Sequence, residues 1–506
     1  MSAADGWPRR AVLAGGAALV GALAAGGGAT TIRLPQVRAP SGEYVGSLVD
    51  DPADRARVLA HRFAGIRYAR AERFQPPVPV TSSVPMAAQA PGFGPACPQP
   101  GKAYRPQAED CLFLNVWTPP QPAARPRPVM VYFHGGAYAT GSVTDPLNDG
   151  AALAARGDMV VVTVNHRLNA LGYLYLPERF PDSGNNGQLD LICALQWVQR
   201  NISAFSGDPG NVTVFGQSGG GAKIATLMAM PGASGLLHKV ITMSGQQVTA
   251  SGPLNAGKRA MAFLDRLGCD PAIAQVEALL DALDAGDPVL GGKVYFGPVL
   301  DMRNLPRHPF WPDAPPQSSG IPMLLGNTVT ETRAFYPADG KVLAGLSWDN
   351  LAARIAPEMR IDIHPGWVVE QFRARYPEAS PSALFHRIVT AARSWRGQVE
   401  EAKARARDGR GNTFVYQLDF EDAQHTDDIG LAFGTVTAPS PARAAMSRVV
   451  MDAFVRFART GDPGWPAYDL GQRQTMVFDR ASRVVSDPRR WERELFARVP
   501  YIQPGT

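Results

Sequence analysis

A β-branched and aromatic run, Val212-Thr-Val-Phe215, leads without a break into Gly216-Gln-Ser-Gly-Gly220. A run of small and apolar residues, Ala222-Lys-Ile-Ala-Thr-Leu-Met-Ala-Met230, follows at once. Val212, Val214 and Phe215 read as a buried parallel strand, and 222–230 as the helix after it. A serine at so sharp a strand-to-helix turn takes strained backbone and exposes its Oγ, while the flanking glycines let strand and helix approach closely. The string G-x-S-x-G alone carries little weight in a chain with 51 glycines. Its place between strand and helix makes Ser218 the candidate nucleophile.

The rest of the chain agrees with such a turn. Val129-Met-Val-Tyr-Phe133 and Met159-Val-Val-Val-Thr-Val164 are continuous apolar runs, expected of strands buried on both faces. Gly187 to Phe205 has helical spacing, and Val240–Met243, Met323–Leu325 and Thr413–Leu418 read as later strands. Pro253 to Val289 and Asp349 to Arg407 read as mostly helical insertions. Alternating strands and helices predict an α/β fold, a mostly parallel sheet with helices on both faces. Neither internal repeats nor a low-complexity linker divides residues 30–506, which read as one catalytic domain.

Composition excludes some functions. With 45% hydrophobic residues among 506, a large core is within reach. A net charge of +5 with no Lys/Arg block argues against nucleic-acid binding. Residues 1–29 read as a leader: Arg9-Arg10 precede a Gly/Ala-rich apolar run from Ala11 to Ala25, then small residues. Paired arginines before a weakly apolar run point to a twin-arginine signal and bacterial export, periplasmic or extracellular. The run is short for a membrane span, so no stable insertion is expected after the signal is removed. Disulfides suit that compartment. Cys97 and Cys111 flank a loop rich in Pro, Gly and charge, Pro98 to Asp110, where a bridge fits; Cys193 and Cys269 read as buried thiols.

A serine nucleophile needs a base, an acid to orient the base, and donors for the oxyanion. On this architecture the chain order is Ser, then Asp/Glu, then His. Of the histidines far enough downstream, His364 precedes a proline and His386 lies in a helical pattern. His425 follows the strand 413–418 directly, at the end of the sheet where such folds place site residues. Glu331, in the loop after the strand at 323, and Asp301, in Gly297-Pro-Val-Leu-Asp301, compete for the acid. His134-Gly-Gly-Ala-Tyr138 ends an early strand with small residues, as an oxyanion loop requires.

Together these residues resemble the type-B carboxylesterases, the cholinesterase-like branch of the α/β-hydrolases. The likeness runs from Phe63-Ala-Gly-Ile-Arg-Tyr-Ala69 and Arg73-Phe-Gln-Pro-Pro77 to Phe457-Ala-Arg-Thr-Gly-Asp-Pro463. Its most specific match is Glu109-Asp-Cys-Leu-Phe-Leu-Asn-Val116. The resemblance implies an α/β-hydrolase fold and ester hydrolysis through an acyl-enzyme, with no metal or organic cofactor. It makes Ser218 the nucleophile, Glu331 the acid and His425 the base, and sets Asp301 in a separate motif. It assigns the oxyanion to the N–H groups of Gly136, Ala137 and Gly219, and implies a Cys97–Cys111 disulfide. Two buried ion pairs are implied as well, Arg73 with Glu109 and Arg167 with Asp190. Gln217, Gly219 and Thr332 depart from the family's usual Glu, Ala and Gly, which bears on substrate preference. The expected partners are a small ester and water. A lipase- or peptidase-like hydrolase on the same fold is the nearer alternative, and a non-catalytic adhesion homologue the farther one. The short 98–110 loop offers one aromatic, Tyr104, where cholinesterases carry a Trp, so a cholinesterase is not expected.

Overall fold

The structure, a computed structural model, describes residues 34–81, 92–438 and 440–503. The leader at 1–29 lies outside these residues. Eleven strands form the main sheet. In chain order they are β1 (Ser47–Asp50), β2 (Val58–Arg67), β3 (Phe113–Thr118), β4 (Arg127–Phe133), β5 (Val160–Val164) and β6 (Gly207–Gln217). There follow β7 (Lys239–Met243), β8 (Met323–Thr328), β9 (Thr413–Leu418), β10 (Gln474–Phe478) and β11 (Arg483–Ser486). Their order across the sheet is β11-β10-β9-β8-β7-β6-β4-β5-β3-β2-β1. From β5 through β10 every neighbouring pair is parallel; β1, β2, β3 and β11 pair antiparallel at the two flanks.

The apolar runs fix which strands lie at the centre. Every residue of β4, β5, β8 and β9 is buried, because helices cover both faces and no position is left for a polar side chain facing water. Alternate residues serve opposite faces. Val129, Val131, Val212 and Val214 share one core with Leu191, Leu195 and Trp197 of helix α2 (Asn186–Asn201). Met130, Tyr132, Phe215 and Ile241 share the other with Leu153 and Ala154 of helix α1 (Ala151–Gly157) and with Val450, Phe454 and Phe457 of helix α5 (Pro441–Thr460). Local chemistry marks the ends of α5: the Ser440 hydroxyl accepts from Arg443 N–H, Pro441 opens the helix, and Gly461 closes it in a left-handed conformation.

The predicted elements are present with their ends moved by a few residues. The helix read at 187–205 is α-helical to Asn201 and 3₁₀ from Ile202 to Phe205. The helix read at 222–230 is α3 (Gly219–Leu227), and it starts at the residue after Ser218. The second insertion contains helices Leu351–Met359, Pro365–Arg375 and Pro381–Val389, a π turn at Thr390–Ser394, and α4 (Trp395–Arg407). These build a separate apolar core around Phe372, Phe385 and Phe496.

The two expected ion pairs form, in different surroundings. Arg167 is enclosed: Nη2 and Nε donate to Asp190 at 2.6 and 2.9 Å, its own N–H donates to the same carboxylate at 3.0 Å, and Nη1 donates to Gln75 O at 2.7 Å. Arg73 also bonds Glu109, yet the Glu109 side chain is 35% exposed, so this pair is only half-buried and the expectation is corrected there. Cys193 is buried in α2 as expected. Cys269 is not: it follows the left-handed Gly268 that ends the helix Pro253–Leu267, and it is exposed.

Burial sets the cost of breaking each pair. Asp190→Asn leaves a desolvated guanidinium facing a neutral amide and is expected to lower stability by about 3–5 kcal/mol. Glu109→Gln, screened by water, is expected to cost about 1 kcal/mol or less. Denaturant midpoints of the two variants, at unchanged slope, check this order.

Candidate active site

The carboxyl ends of β4, β6, β7, β8 and β9 lie side by side, and each sends a loop or turn into the same region. β6 ends at Gln217, and Ser218 then takes φ 54° and ψ −123°, outside the conformations an L-residue favours. Its N–H donates to Met243 O, the last residue of β7, at 2.7 Å, which fastens the turn to the neighbouring strand. Gly220 makes the tight turn possible: a β-carbon there would lie 2.0 Å from Phe133 O. The strain expected of the G-x-S-x-G motif is present in this geometry, and Ser218 is half-buried.

Ser244, next after β7, donates to Glu331 Oε1 at 2.5 Å. The same oxygen accepts from Thr328 N–H at 2.7 Å and Asn327 Nδ2 at 3.1 Å. Its partner oxygen, Oε2, bonds Nδ1 of His425. Glu331 opens a 3₁₀ turn three residues past the end of β8, while His425 lies in the loop after β9. Burial alone would push the Glu331 carboxyl up. The adjacent His425, its hydrogen bond, and those from Ser244 and Thr328 outweigh burial and hold the carboxyl below its ordinary value. Nδ1 is thereby fixed as the protonated nitrogen facing a carboxylate. Nε2, at the other end of the ring, is buried and makes no hydrogen bond among the described residues. Phe335 covers the imidazole, with ring centroids 4.7 Å apart.

β4 leads into His134–Tyr138. Gly136 and Ala137 both have positive φ, 86° and 53°, and neither N–H meets an acceptor among the described residues. This loop packs on the serine turn: a β-carbon on Gly135 would lie 3.3 Å from Ser218 Cβ, and one on Gly219 would lie 2.1 Å from Ala137 O. Gly219, at the first position of α3, has a helix N-terminal N–H with no intrahelical acceptor.

Glu331 and His425 are thus directly bonded, and the Ser218 turn is tied to Met243, beside the Ser244 that bonds Glu331. Asp301 is elsewhere: its carboxylate caps a turn, accepting from Arg303, Asn304 and Leu305 N–H and from Asn185 Nδ2. The departures from the family pattern have structural counterparts. Gln217 is buried against Gly135, and its Nε2 has no hydrogen-bond partner among the described residues. Thr332 ties the Glu331 turn to the helical insertion, its Oγ1 donating to His386 O at 3.1 Å and meeting Thr390 Oγ1 at 3.0 Å. Sequence reasoning missed Ser244 and Phe335. Ser244 had a usable signal, since it follows a strand end as Ser218, Glu331 and His425 do.

Cys97 and Cys111, at the base of the 98–110 loop, face one another. The loop base is closed by Ala96 N–H to Pro106 O and Ala108 N–H to Ala96 O, both 3.0 Å. Contact with Cys97, and then burial, push the Cys111 thiol well up. Tyr104 turns its hydroxyl to Asp145 at 2.9 Å. No helix among the described residues is long and apolar enough to cross a membrane.

Comparison with known proteins places this geometry. Residues 33–490 match the model of the carboxylesterase family. Para-nitrobenzyl esterase of Bacillus subtilis is 33% identical over 86% of this chain and 94% of its own length. Human carboxylesterase 3 is 30% identical over 72% of this chain and 71% of its own. The crystal structure of the Geobacillus stearothermophilus carboxylesterase Est55 superposes with a TM-score of 0.78 at 33% identity, over 91% of this chain and 99% of that one. The chain belongs to the carboxylesterase family, the type-B, cholinesterase-like serine hydrolases of the α/β-hydrolase fold that cleave carboxylic esters.

Proposed function

We propose that Ser218, Glu331 and His425 are the catalytic triad of this esterase, and that the N–H groups of Gly136, Ala137 and Gly219 bind the oxyanion. The observation that carries the reading is the buried Glu331–His425 bond beside a strained serine turn. In this reading Nε2 takes the Ser218 proton as Oγ attacks the ester carbonyl. Glu331 holds the tautomer and stabilises the imidazolium. The tetrahedral oxyanion meets N–H groups already in place, each worth about 2.7–4 kcal/mol in such sites. Collapse expels the alcohol, protonated by the imidazolium. Water, activated by the same base, then releases the acid and restores Ser218. Ser218→Ala and His425→Ala are each expected to lower kcat on the order of 10⁴–10⁶-fold with the thermal transition unchanged, because triad members act as a unit. Near-normal turnover in Ser218→Ala sinks the mechanism.

We further propose export through the leader at 1–29 and oxidation of the facing Cys97 and Cys111 to a disulfide. A 15-residue closed loop adds roughly 3 kcal/mol in the chain-entropy model. Non-reducing peptide mapping of exported protein is expected to recover Cys97 joined to Cys111, with Cys193 and Cys269 as thiols.

The preferred substrates in this proposal are neutral esters. A quaternary ammonium needs aromatic faces to hold it. The 98–110 loop supplies only Tyr104, whose hydroxyl is engaged by Asp145, and Gln217 places no charge beside the serine. A choline ester and its neutral tert-butyl isostere are expected to show similar kcat/KM; strong preference for the cation overturns this part.

A further inference from the structure

Lys223, on α3 five residues past Ser218, is completely buried. Its Nζ donates to Ala137 O at 2.8 Å and His134 O at 3.2 Å, and lies 5.5 Å from the centre of the Tyr138 ring. No carboxylate lies within ion-pair distance among the described residues. Burial pushes the ammonium down to about 7, a measure of what enclosing it costs. A methionine would fill the same space without that cost, so the polar end has work that packing does not supply.

The work is legible in the loop. A peptide C=O and the next N–H point in opposite directions, so tethering one aims the other. Gly135 O bonds His134 Nδ1 at 2.9 Å; a carbonyl only accepts, so Nδ1 carries the proton, and Gly136 N–H is aimed the opposite way. Gly136 O accepts from Thr140 and Ala139 N–H at 3.0 and 3.2 Å, which aims Ala137 N–H. The carbonyls on either side, His134 and Ala137, are the two held by Lys223. Every carbonyl from 134 to 137 therefore has a partner, and Lys223 alone spans both ends. It holds Ala137 O where a β-carbon on residue 219 would stand, 2.1 Å away.

We propose that Lys223 is a positioning residue of the oxyanion hole: its ammonium clamps the His134 and Ala137 carbonyls at the two ends of the loop, so that the Gly136 and Ala137 N–H groups, aimed by the bonds to Gly135 O and Gly136 O, stay directed at the developing oxyanion, and Gly219 lacks a side chain to admit the clamped carbonyl. This rests on the oxyanion assignment proposed above.

The test compares Lys223→Met, Gly219→Ala and the double variant on one neutral aryl ester. Inhibition by a trifluoromethyl ketone, which forms a tetrahedral adduct, and labelling of Ser218 by a fluorophosphonate are measured alongside. Lys223→Met is expected to lower kcat about 10–100-fold, the usual penalty for a reacting group displaced by about an ångström, with KM little changed. Inhibition by the ketone weakens by the same factor, while Ser218 still labels completely. A lysine that merely supported the fold would not move ketone affinity and kcat in step at constant KM. Gly219→Ala is expected to lose a similar factor. The double variant loses no more than the worse single one, because a released carbonyl yields to the new methyl. Unchanged kcat and ketone affinity in Lys223→Met, or multiplicative losses in the double variant, overturn the clamp. Should Lys223→Met not fold, Gly219→Ala decides alone: wild-type kcat and ketone affinity there overturn it. Ser218→Ala separates the two readings. Activity surviving in Ser218→Ala overturns the catalytic assignment and the clamp with it, whereas activity lost there but intact in Lys223→Met overturns only the clamp.

Discussion

A carboxylate removed entirely from water must have its oxygens satisfied by the protein, and Glu331 imposes that condition on the whole site. Its donors come from separate stretches of chain: Ser244 after β7, Asn327 and Thr328 from β8, and His425 after β9. Three adjacent strands must therefore end in register for the charge to be tolerated. The same register lets Met243 O receive the Ser218 N–H, tying the serine turn to the segment that supplies Ser244. An ion that is expensive to bury thus couples the Ser218 turn to His425. The low dielectric that raises the cost also strengthens its bond to the imidazole.

The loop from β4 answers a different demand. In the proposed mechanism it presents N–H groups to an oxyanion without losing them to internal hydrogen bonds, so its carbonyls must be occupied elsewhere. His134, the Ala139–Thr140 turn and Lys223 occupy them. The Glu331 charge is met by neutral donors and a histidine, while the Lys223 charge is met by carbonyl dipoles. Among the described residues neither is paired with a full opposite charge on a lysine, arginine, aspartate or glutamate. By contrast, one full ion pair of the interior, Arg167 with Asp190, fastens the segment after β5 to α2 and to the carbonyl of Gln75.

Much of the fold was readable because its signals are local. Runs such as Val129–Phe133 and Val160–Val164 are apolar at every position, which only a strand covered on both faces requires. Antiparallel flanking strands such as β1 and β11, with mixed exposure, carry no such run and were not picked out. The Arg73–Glu109 pair illustrates another limit: residue types signal that two charges meet, while exposure depends on what chain covers them. Cys269 shows the same, since a cysteine after Leu-Gly reads as buried until the helix end beside it is seen to face solvent.

The choice of Glu331 over Asp301 rests on the family resemblance; legible in the residues themselves were the central parallel strands, the strand–turn–helix around Ser218, the placement of Glu331 and His425 after later strands, and the small residues at the end of β4. These follow from periodicity, glycine placement and strand-end position, which are properties of short segments. Long-range packing is what brings Ser244 to Glu331, Phe335 over His425, Thr332 to the helical insertion, and Lys223 inward to the His134 and Ala137 carbonyls. A lysine in an otherwise apolar helix reads as a solvent-facing residue. Its fate depends on polar groups brought to it by a loop some 86 residues earlier in the chain, and no local pattern encodes where those carbonyls will stand.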